Sequence, residues 1–215
     1  MIAFRSVLTA LVLLVAVPGA AAAAPVQDAS EAPRTSGPLF GSPLDCEDDG
    51  PPGPNETRMR TCVWSYDLLP AETNATEDYT GYWIQLEVDP APGWCVFGVD
   101  FDTSGPDDGR IASAAPQPGR TGGETTVELV VDAEGAAPLP GTIAQDFDLP
   151  KGRIRTSLDP HHFAYSWSGR AKDKIVVGTG VQVTHPLPPS VISTWYEGVG
   201  VTFGSCRPMA IAAIR

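Results

Sequence analysis

The sequence predicts an all-β fold: an antiparallel β-sandwich of eight or nine strands, immunoglobulin-like or jelly-roll-like, and stapled by disulfides. Three observations predict it. From about residue 58 onward, apolar residues recur with period two between clusters of turn residues. Gly and Pro number 22 each in 215 residues. That is a share below the roughly 25–30% of low-complexity chains, but enough to punctuate many short strands. The cysteines Cys46, Cys62, Cys95 and Cys206 are even in number and lack the C-x-x-C spacing of zinc sites, so they read as two disulfides. The order Cys62, Trp83, Cys95 does not match the cysteine–tryptophan–cysteine spacing of a true immunoglobulin domain.

The elements follow in order. Residues 1–23 have one early charge, Arg5, an apolar run to Val17, a Pro18-Gly19 break and small residues up to Ala23. This is the pattern of a secretory signal peptide cut after Ala23, and its apolar run is shorter than the roughly 20 residues of a membrane span. Residues 24–45, rich in Ala, Pro, Ser and Gly, read as a flexible leader, and residues 46–215 as one β-sandwich domain. Export agrees with the disulfide reading. Of the three connectivities, Cys46–Cys62 with Cys95–Cys206 is preferred, because the first pair is local and the second staples the chain end. Both asparagines of the chain, Asn55 and Asn74, lie in N-x-Thr sequons, as expected of a secreted glycoprotein.

Strand parity is readable in several places. Cys62, Trp64 and Tyr66 share a face. Ile84, Leu86 and Val88 alternate with Trp83, Gln85 and Glu87; beyond Pro90-Ala91-Pro92-Gly93, Cys95, Phe97, Val99 and Phe101 alternate with Trp94 and Asp100. Folded as a hairpin, these runs set Ile84 opposite Val99, Leu86 opposite Phe97 and Val88 opposite Cys95. Val127, Leu129 and Val131 form a further run. Ile143, Phe147 and Leu149 precede a turn expected at Lys151-Gly152, with Asp148 facing Arg155 across it. Phe163, Tyr165 and Trp167, then Ile175, Val177, Val181 and Val183, then Val199, Val201 and Phe203 complete the set, and Ser190–Glu197 reads as one short helix.

Charge bounds the function. Lys and Arg total 14 against 26 Asp and Glu, a net charge of −12. This balance excludes a sequence-independent nucleic-acid binder and docking on anionic lipid, and no transmembrane segment follows the signal. No P-loop, dinucleotide fingerprint, H-E-x-x-H or G-x-S-x-G motif occurs. Two candidate sites remain. Trp83, Gln85, Glu87, Trp94 and Asp100 would share the outward face of the expected hairpin. Aromatic rings with carboxylate and amide groups suit carbohydrate or a surface protein, unless another strand or the leader covers that face. Asp100, Asp102, Ser104 and Asp108 stand at positions 1, 3, 5 and 9 of a calcium-loop pattern that lacks its final Glu, Ile111 standing at position 12. His161, His162 and His185 form no ligand spacing. The function expected is a secreted, non-catalytic binding module at the cell exterior. A small polysaccharide hydrolase using carboxylates such as Glu87 and Asp100, and a purely structural acidic coat glycoprotein, are the alternatives.

Overall fold

The computed structural model describes residues 27–37, 39–48, 57–68, 77–104, 109–132, 140–186 and 196–207. The signal segment, both sequon asparagines and Asp108 lie outside them. Among the described residues, eleven strands form two packed antiparallel sheets, a β-sandwich as the alternation predicts. One sheet runs β2 (Leu39–Asp48), β3 (Arg58–Leu68), β4 (Glu77–Asp89), β10 (Ile175–Pro186), β6 (Arg110–Ala115). The other runs β1 (Arg34–Ser36), β8 (Gly141–Asp159), β9 (His162–Ala171), β5 (Trp94–Ser104), β11 (Tyr196–Ser205), with β7 (Gly119–Val131) also paired to β8. Disulfides join Cys46 to Cys62 between β2 and β3, and Cys95 to Cys206 between β5 and the end of β11.

The expected hairpin of residues 84–101 does not form. β4 pairs with β3 and β10, whereas β5 pairs with β9 and β11 in the other sheet. Residues 90–93 carry the chain between sheets, closed by Trp94 N–H donating to Ala91 O at 2.9 Å, with Gly93 at φ 84° where a side chain would be strained. The physical reason lies in β4, which is apolar or buried on both faces. Trp83, Gln85, Ile84, Leu86 and Val88 are all 0–1% exposed, except that alternate positions face opposite ways. A strand buried on both sides belongs at the centre of a sheet. Two matched apolar strand faces meet equally well when stacked between sheets as when paired side by side, so the register pattern alone does not separate the cases.

Trp83 fits into the sandwich over glycine. Its ring stacks on Phe147 of β8, centroids 6.4 Å apart and planes 10° from parallel. A Cβ at Gly180, its cross-strand partner, would lie 2.7 Å from Trp83 Cε3, and one at Gly178 would lie 2.3 Å from Phe147 Cζ. The pair Gly178-Thr179-Gly180 on β10 is the slot that lets two aromatic rings lie flat between the sheets.

The turn expected at Lys151-Gly152 is also replaced. β8 continues through it as one strand of 19 residues, and Thr121 and Gly123 of β7 pair with Gly152 and Leu149. Pro150 and Lys151 thus oppose Gly122 alone, a bulge that accommodates a proline inside a long strand. Asp148 faces Glu124, and Arg155 faces Ser166 of β9. Part of the expected helix is strand, since Tyr196 and Glu197 open β11; residues 187–195 lie outside the described set.

The segment expected as a free leader is docked. Residues 34–36 form β1 on β8, and residues 39–45 belong to β2. Ala29 is fully buried, its N–H donating to Glu87 Oε2 at 3.2 Å. Gln27 reaches β8, where its amide donates to Asp146 O and accepts from Asp148 N.

Candidate functional site

The structure separates the residues expected to form an aromatic and acidic contact face. Trp83 and Gln85 are buried, Trp83 under the opposite sheet and Gln85 under the leader, where its Nε2 donates to Glu31 O at 3.1 Å. Glu87 is mostly covered and paired with Lys174 at 3.2 Å. Trp94 is half-buried at the start of β5, and Asp100 alone is exposed. The five therefore lie on two sheets and present no common surface, because the hairpin that would have united them is absent. The same separation divides Glu87 from Asp100, two of the carboxylates named for the hydrolase alternative.

Three of the four calcium-loop residues are found on a strand, while Asp108 lies outside the described residues. Asp100, Asp102 and Ser104 lie within β5. An extended strand spaces alternate residues about 7 Å apart in a row, whereas calcium needs its oxygens within about 2.6 Å of one point. Asp102 is engaged instead by His162, whose Nε2 lies 3.1 Å from each of its carboxylate oxygens. Among the described residues no three acidic, histidine or cysteine side chains converge as a metal site.

What the structure does bring together is the outward face of β8, β9 and β5. Inward, Phe101 and Tyr165 stack at 5.4 Å; Tyr165 is buried, its hydroxyl has no hydrogen-bond partner, and burial pushes that phenol above its ordinary range. Outward, the register sets side chains in three parallel rows. Arg153, Ser168 and Gly98 align in one, Arg155, Ser166 and Asp100 in the next, and Ser157, Ala164 and Asp102 in the third. β11 extends the same rows with Thr202, Gly200 and Gly198. A cavity of about 320 Å³ lies on this face, lined by Arg155, Ser157, Ala164, Ser166, Asp100 and Asp102 among others.

Its chemistry is polar and two-sided. Small residues of β9 make the floor, a guanidinium stands on one wall and two carboxylates on the other. Arg155 and Asp100 are two strand spacings apart, about 9.6 Å between backbones, and neither has a hydrogen-bond or ion-pair partner among the described residues. Sequence reading found Asp100 and Asp102 but not Arg155, Ser166 or His162. The alternation Arg153-x-Arg155 was a signal for an outward basic row, hidden by pairing Arg155 with Asp148 across a turn that does not form.

No protein-family model matches the chain, and no curated protein matches it. Among solved structures, a chain described as "Pore forming protein" is similar at a TM-score of 0.46 and 7% identity, over 77% of this chain and 89% of that one. A likeness at that level has no bearing on function.

Proposed function

We propose that the protein is an exported, non-catalytic binding module that holds a polar, hydroxyl-rich ligand on the outward face of β8, β9 and β5. Two disulfides among the described residues are compatible with an oxidising, extracellular setting. No described helix is long and apolar enough to cross a membrane. The observation that carries the reading is the unpaired charge across the groove, Arg155 on one side of Ser166 and Asp100 on the other. Both groups hold hydrogen-bonding capacity that no described residue uses. A carbohydrate matches it, since its ring oxygens accept from a guanidinium and its hydroxyls donate to a carboxylate.

Catalysis is not favoured by this geometry. Asp102 is held by His162, and no pair of free carboxylates flanks the floor. The test is a panel of soluble oligosaccharides titrated against the protein and against Asp100→Asn and Arg155→Gln. Each substitution is expected to weaken binding about tenfold, the worth of one charge-assisted hydrogen bond, without lowering the melting temperature. Binding that survives both changes would locate the ligand elsewhere.

A further inference from the structure

Beside the groove lies a second feature of the same face. Arg120 of β7 pairs directly with Arg153 of β8, and Arg155 follows two residues on, so three guanidiniums share one outward patch. All three are exposed. Like charges directly opposite on neighbouring strands destabilise a sheet. Acidic residues outnumber basic ones nearly two to one, yet none of these arginines has an ion-pair partner among the described residues. Beyond the bulge, the same ribbon turns acidic, with Glu124 facing Asp148. The patch is therefore bounded at that end by carboxylates and opens toward the groove through Ser168 and Ser166.

From this we infer that the ligand of the groove is an anionic polysaccharide, carrying carboxylate or sulfate groups that bind Arg120, Arg153 and Arg155. The inference rests on the groove being a binding site. Guanidinium forks recognise such oxyanions bidentately. The absence of aromatic and large apolar side chains from the three rows speaks against a lipid surface. An acidic peptide would bring carboxylates against Asp100 and Asp102, whereas a sugar chain offers hydroxyls there and its charges to the arginines. The chain's net negative charge does not forbid this, because at physiological salt charges more than about 8 Å away are largely screened.

The experiment is calorimetric titration of the disulfide-bonded protein with oligogalacturonate, with heparin oligosaccharides, with carboxyl-reduced oligogalacturonate and with poly-glutamate. Either or both of the first two are expected to bind at least about tenfold more tightly than the reduced oligomer, their ranking separating carboxylate from sulfate as the charge read. Arg120→Gln and Arg153→Gln are each expected to lower that affinity about fivefold to tenfold while leaving the reduced oligomer unaffected. Equal binding of charged and reduced oligomers, or equal binding of poly-glutamate, would overturn the anionic polysaccharide as the ligand, the first outcome leaving the groove reading in place. Loss of all glycan binding would remove both.

Discussion

Glycine and tryptophan decide the packing at the scale of single residues. The flat stack of Trp83 on Phe147 requires that Gly178 and Gly180 have no side chain, so a methyl group there has no space to enter. Gly180→Ala is expected to cost about 2 kcal/mol, and Gly178→Ala at least as much, because the obstructing atoms belong to rigid rings. Thermal unfolding would register this as a fall of about 6 °C in Tm, since about 1 kcal/mol shifts a protein of this size by 2–4 °C. An unchanged Tm in both variants would mean that the rings are not fixed over β10. Trp83 also shows where residue-level reading stops. Its alternation with Ile84 was legible, but which of two apolar faces meets water was not, since both are buried.

Elements respond as units. Residues 27–36 are held to β8 and β4 chiefly by polar contacts. Asp146 Oδ1 accepts from Thr126 Oγ1 at 2.6 Å and Oδ2 from Arg34 Nη2 at 2.8 Å. The Thr126 hydroxyl first, and Arg34 after it, hold this carboxyl below its ordinary 3.8, and the Ser30 backbone and hydroxyl do the same for Asp28. Folded values below the unfolded ones mean that these groups stabilise the docked segment above about pH 4. That contribution disappears as the pH falls through the folded values. Amide exchange of residues 27–36 is expected to stay slow from pH 7 to about 4 and to quicken, relative to β10, below it. Equal acceleration in both would show the segment melting only with the whole fold. Element-level reading recovered the β-runs of β3, β7, β9 and β10, because each shows period-two alternation. It failed at β8, where Lys151-Gly152 resembles a turn and only the pairing of Gly123 with Leu149 reveals a bulge.

For the molecule as a whole, the fold class and both disulfides were legible in the sequence, while the arrangement of strands was not. Alternation states that a strand has an apolar face and is silent on which sheet receives it. The site fell with the arrangement, since Trp83 and Asp100 were linked only through a hairpin. The Cys95–Cys206 bridge spans a sequence separation of 111 residues and encloses seven of the eleven described strands, β5 from its second residue and all of β6 through β11. Loop-closure entropy at that length is worth about 5 kcal/mol, so selective reduction should destabilise the protein by roughly that amount. The bridge also sets how the chain bears load. Tension applied between the two ends passes from β5 through sulfur to residue 206, and the residues between are outside its path. Pulled singly in the oxidised state, the protein should lengthen about 380 Å less than after reduction, from about 3.4 Å per sheltered residue. Seven strands, among them the arginine ribbon and the whole of the groove, would then stay unloaded while the rest of the molecule is stretched.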